Sequence, residues 1–88
     1  MIDPSMLAEA AALVNGDRQE SYGKPEDNLG RIAHMWSAYL ATAVSASDVA
    51  QMMVLLKIAR SVNTYERDNY LDAIGYIVLA EALHEDHS

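Results

Sequence analysis

Lys57 and Arg60 stand three residues apart near the end of one apolar run, and Asp68, Asp72 and Tyr76 follow at four-residue intervals in the next. Helical periodicity puts each set on a single face. The Leu, Ile, Val and Ala around them favour burial, and a charge removed from water is costly unless something pairs it. Two arrangements meet that requirement. In one, the cations and carboxylates meet across a helical hairpin, and Lys57 and Arg60 also offset the negative end of their helix by about 0.3–1 kcal/mol each. In the other they meet a ligand. Arg60 then offers a phosphate a two-pronged guanidinium and Lys57 a point charge, while Asp68 and Asp72 accept hydrogen bonds from a sugar or base. Both arrangements remain open at this level.

A second concentration of polar chemistry lies in the stretch RQESYGKPEDN, from Arg18 to Asn28. Tyr22 beside Gly23 places an aromatic face at a hinge, which suits stacking on a base. Asn28 offers a donor and an acceptor together, enough to read a base edge. The plainer alternative is a surface loop whose Tyr22 packs back on the core. Asp68 and Asp72 also make half of a magnesium site. The other acidic candidates, Glu26, Asp27 and Asp48, do not form the Glu-Glu-x-x-Glu cluster that would complete one.

His34, His84 and His87 lack metal-ligand spacing, and the chain has no cysteine, which removes disulfides and thiolate zinc sites. Neither a nucleophile elbow nor a glycine-rich phosphate loop is present. The expectation is therefore no metal, no cofactor and no catalytic residue.

These residues need elements to hold them. Apolar residues recur at three and four, which predicts an all-α chain of about four helices. The first runs from about Pro4 to Val14, with Asp3 as cap, Leu7, Ala11 and Val14 as stripe, and Asn15-Gly16 as stop. A polar loop covers 16–24. The second helix starts at Pro25, fades near Ala43, and turns Leu29, Ile32, Ala33, Trp36, Tyr39 and Leu40 inward. Ser45 or Ser47 caps a third, Asp48 to Ser61, that is apolar nearly all round. An Asn63–Glu66 capping box opens the fourth, from about Thr64 to Leu83. Its inward side is Leu71, Ile74, Val78, Leu79, Ala82 and Leu83, and Gly75 in its interior implies close packing or a flat ligand. The tail, 84–88, should fray.

With 88 residues the chain forms a single domain, 1–88, and 51% hydrophobic residues in so short a chain favour a homo-oligomer, with the second and third helices at the interface. A net charge of -7 argues against DNA or RNA as partner. No stretch is long and apolar enough for a membrane span, and the acidic N-terminus is unlike a signal peptide. The expected location is the cytoplasm, that of the host cell if the protein is viral.

Four motifs, R-x-x-x-YG-x-P-x-x-N, IA-x-x-W-x-x-YL, DVA-x-MM-x-LLK-x-AR and D-x-x-x-DA-x-GY, span Arg18 to Tyr76. Together they resemble a family of small phage and prophage proteins without an assigned function. More distantly, Lys-x-x-Arg followed by Asp-x-x-x-Asp is similar to all-α nucleotide pyrophosphohydrolases and to helical domains associated with phage nucleotide modification. The resemblance implies a viral setting, in which small oligomeric proteins sequester host nucleotide signals.

The leading expectation is non-catalytic binding of a nucleotide or nucleotide-derived signal. Arg18, Lys57 and Arg60 would hold phosphates, Tyr22 and Tyr76 would stack, and Asn28, Asp68 and Asp72 would take polar contacts. The alternatives are a magnesium-dependent nucleoside triphosphate pyrophosphohydrolase using Asp68 and Asp72, and a structural or protein-interaction module.

Overall fold

Local signals start three of the four helices, and in three places the packing moves an end that the signals imply. In the computed structural model, which describes residues 2–17 and 23–84, the chain forms four α-helices and, among those residues, no strand. Helix α1 covers Ser5–Ala12. An Asp3 carboxylate oxygen accepts the Ser5 N–H at 2.9 Å, so Asp3 satisfies one of the orphan donors while Pro4 takes the cap position. The expected stop at Asn15-Gly16 does not operate. Leu13–Asp17 wind on as a π-helical turn, which glycine weakens without forbidding. The expected stripe is also displaced: Leu7 and Ala11 are exposed, Val14 is half-buried, and Ala10 is the buried contact. A small residue there lets α1 lie close against the last helix.

Helix α2, Pro25–Leu40, carries Pro25, Glu26 and Asp27 in its first turn, as expected. It ends before Ala43 because Ser37 ties down the following turn. The Ser37 hydroxyl accepts the Val44 N–H at 2.8 Å and donates to the Val44 carbonyl at 3.1 Å. Ala41 takes a left-handed conformation, φ 56°, to make that turn. Tyr39 and Leu40, expected inward, therefore stand exposed at the helix end.

Helix α3, Ala46–Ser61, opens on a complete capping box: Ser45 Oγ accepts the Asp48 N–H and the Asp48 carboxylate accepts the Ser45 N–H, both at 3.0 Å. Ser47, the other candidate cap, is buried and donates to the Ala80 carbonyl at 2.7 Å. Helix α4 covers Arg67–Ala82. The Asn63–Glu66 box does not form, because Val62–Glu66 are spent reversing the chain between α3 and α4, and Glu66 caps without a side-chain hydrogen bond. Val78 and Ala82, expected inward, are exposed. His84 has no regular structure, and the rest of the expected frayed tail lies outside the described residues.

Leu29, Ala33, Val49, Ala50 and Ala80 form the centre of a compact helical bundle, with Ile32, Trp36, Met53, Tyr76 and Leu79 packed around them. Three of those five are alanine, so the helices approach closely and the core gains little volume. Helices α3 and α4 run antiparallel, with Ser47 against Ala80 at one end and Lys57 against Asp72 towards the other. Helix α1 is tied to the start of α4 by Arg67, which donates from both terminal guanidinium nitrogens to the Glu9 carboxylate, one bond measuring 2.9 Å.

Candidate functional site

Where the π-helical turn after α1, the start of α2 and the middle of α4 meet, they leave a partly open cavity of about 280 Å³. Leu13, Val14, Pro25, Leu29, Leu71 and Leu79 make its apolar walls. Three polar side chains, Asn28, Asp72 and Tyr76, enter the same space. Their placement follows from local structure. Pro25 fixes the first turn of α2 and so aims Asn28, one turn on. Asp72 and Tyr76 are four apart on α4 and share a face.

Gly75 lies between them in the cavity wall. Among the described residues, a Cβ built on it would meet Val14 Cγ2 alone, at 3.5 Å, an ordinary contact. Close helix packing therefore does not require glycine here; its missing side chain keeps the wall flat.

The Asp72 carboxylate faces two ways. It lines the cavity, and its Oδ2 lies 3.0 Å from Lys57 Nζ. The pair is nearly enclosed, with side chains 13% and 12% exposed. Lys57 itself does not line the cavity. The cation and carboxylate thus meet across the α3–α4 hairpin, while the carboxylate end of the pair remains beside an opening.

The other candidates fall elsewhere. Arg60, in the last turn of α3, and Asp68, in the first turn of α4, are exposed and outside the cavity lining. Arg18 and Tyr22 lie outside the described residues. Among the described residues, no group of three or more His, Asp or Glu converges to hold a metal ion. Sequence reasoning missed Leu13 and Val14 as walls, since a helix expected to stop at Asn15-Gly16 gives no reason to look for a π turn. The Arg67–Glu9 bond was also missed; nothing in the spacing of two residues so far apart signals it. Arg67 holds the Glu9 carboxyl below its ordinary range, and the same hydrogen bond raises the Arg67 guanidinium.

A family model described as Domain of unknown function (DUF6378) matches residues 5–84, nearly the whole described bundle. The chain belongs to the DUF6378 family. It is similar to the Gene 55 protein of Mycobacterium phage D29, 42% identical over 83 residues that make up 93% of this chain and 55% of that one. It is also similar to the Gene 55 protein of Mycobacterium phage L5, 41% identical over 81 residues, 90% of this chain and 52% of the relative. The chain thus spans about half the length of these relatives. No solved structure matches it. The small-phage-protein resemblance is met by this DUF6378 membership. No helix among the described residues is long and apolar enough to cross a membrane.

Proposed function

We propose that this DUF6378 protein binds a nucleotide or nucleotide-derived signal without converting it. The observation that supports this most is the mixed character of the cavity: apolar walls with one amide, one carboxylate and one phenol entering it. Ligand pockets share that design, few polar groups in an apolar concavity. At about 280 Å³ the space suits a base with part of its sugar and leaves phosphates outside. Tyr76 then stacks, and Asn28 and Asp72 take the polar edge of the base or sugar.

The phosphate role divides among the cations. Lys57 reaches a phosphate only by leaving Asp72, which breaks a nearly enclosed ion pair. Arg60, exposed at the end of α3, carries no such cost. Arg18 and Tyr22, which precede Pro25 in the sequence, complete the phosphate and stacking contacts in this reading, and Asp68 contributes at the rim. In a phage setting such binding lowers the free concentration of a host defence signal in the host cytoplasm, and the protein acts as a homo-oligomer. Membership of a family with relatives in mycobacteriophages supports that setting.

Calorimetric titration against mono-, di- and cyclic nucleotides tests the proposal. One of them should release heat, and Tyr76→Ala and Asn28→Ala should each lower its affinity at least about tenfold, the loss of a stacking or buried hydrogen-bond contact. The nucleotide should be recovered intact after incubation. No heat from any member of the panel would reject the reading, and recovery of a hydrolysed product would move the assignment to a pyrophosphohydrolase.

A further inference from the structure

Along its second half, helix α3 turns apolar side chains towards water, while Asp48 in its first turn and Arg60 in its last are exposed too. Lys57 is held on Asp72. Helical geometry sets Arg60 about 160° round from Ile58 and Val62. The outer half presents Met52, Leu55, Leu56, Ile58 and, just past the last turn, Val62, from 40% to 85% exposed. A surface helix normally shows the reverse arrangement. Leu55 and Val54 extend the face into a shallow groove shared with Ile77 of α4.

The whole chain makes the same point. It exposes 6330 Å², where a folded monomer of 9.7 kDa is expected to expose about 5100 Å². Ten residues outside the described segments contribute to that surface, so the location of the excess matters more than its size. Among the described residues, Leu29, Val49 and Leu71 are the only large apolar side chains that are buried, and fourteen are exposed.

We infer that the outer face of α3 binds a second copy of this chain, α3 against α3 about a twofold axis near Leu55 and Ala59. Charge selects this occupant. The chain carries a net charge of -7, yet from Met52 to Val62 it has no carboxylate. Two acidic copies meet along that stretch without opposing carboxylates, with the exposed Asp48, one turn before Met52, and Glu81 of the groove left at the rim of the contact. A nucleic acid finds no cation on this face. Ala59, small and exposed, lets the two backbones come close at the axis. The contact is isologous, so each residue near the axis meets its own counterpart. It uses α3 without the Met35 side of α2, and it is independent of what the cavity binds.

Sedimentation or light scattering at micromolar concentration should give twice the 9.7 kDa chain mass. Leu55→Glu should give a single-chain mass with helical circular dichroism retained. Val62→Glu, at a position already 85% exposed and so unable to disturb the core, should weaken association at least about tenfold. Met35→Glu, at an exposed apolar position on α2, should leave the dimer intact. A single-chain mass for the unmodified protein would overturn the inference. So would a dimer that survives Leu55→Glu and Val62→Glu together, or one dispersed by Met35→Glu.

Discussion

Gly75 concentrates the conflict between stability and a ligand space. A glycine inside a helix costs about 1 kcal/mol relative to alanine, and the geometry leaves room for the methyl group, 3.5 Å from Val14 Cγ2. Gly75→Ala should therefore raise stability by about 0.5–1 kcal/mol, seen as a melting temperature several degrees higher. The same methyl projects into the cavity wall, so affinity for the ligand found by titration should fall at least about tenfold. A higher melting temperature with affinity unchanged would show that the ligand does not use this wall. The residue was conspicuous in the sequence because helix interiors disfavour glycine. The reason it is there was not legible, because Val14 comes from a turn that no local signal announces. Asp72 and Tyr76 could be picked out as polar groups at helical spacing, and Asn28 as a side chain that carries a donor and an acceptor together. That Asp72 would hold Lys57 and border a cavity at once depends on how α1, α2 and α3 are set around α4, which spacing alone does not fix.

At the scale of elements, short-range chemistry could be read and long-range ties could not. The Ser45 cap, one of two candidates, and the Pro25 start are local, and both hold in the structure. The Asn63–Glu66 box is also local, yet it fails because the reversal between α3 and α4 needs those residues. Outward-facing Tyr39 and Val78 show the limit of periodicity: it marks an apolar face without saying whether a neighbour covers it. The bond from Arg67 to Glu9 joins residues far apart in the chain, and it makes the attachment of α1 sensitive to acid. Since the folded state holds the Glu9 carboxyl below its ordinary 4.5, the bond's contribution is present in full above about pH 4.5. It is lost as pH falls through the lower folded value. Thermal melts from pH 7 to pH 3 should therefore show wild type more stable than Glu9→Gln above that point, with the two curves converging below it. Parallel curves throughout would show that the ion pair contributes nothing to folding.

On the scale of the whole molecule, the bundle divides into a firm part and a lightly held one. The firm part is α2, α3 and α4 around Leu29, Val49 and Ala80. Helix α1 adds a single buried residue, Ala10, and an exposed ion pair. Segments with so few buried contacts open at low free-energy cost while the remainder stays folded. Leu13 and Val14, just beyond α1, also form one wall of the cavity, so opening that segment dismantles the cavity. Under the proposed function, binding and the docking of α1 are then one equilibrium seen from two ends. Deuterium uptake should be fast at the amides of residues 7–14 and slow in the middle of α3, and a saturating nucleotide should slow the former much more than the latter. Equal uptake in both segments would mean that the amino-terminal helix never lets go.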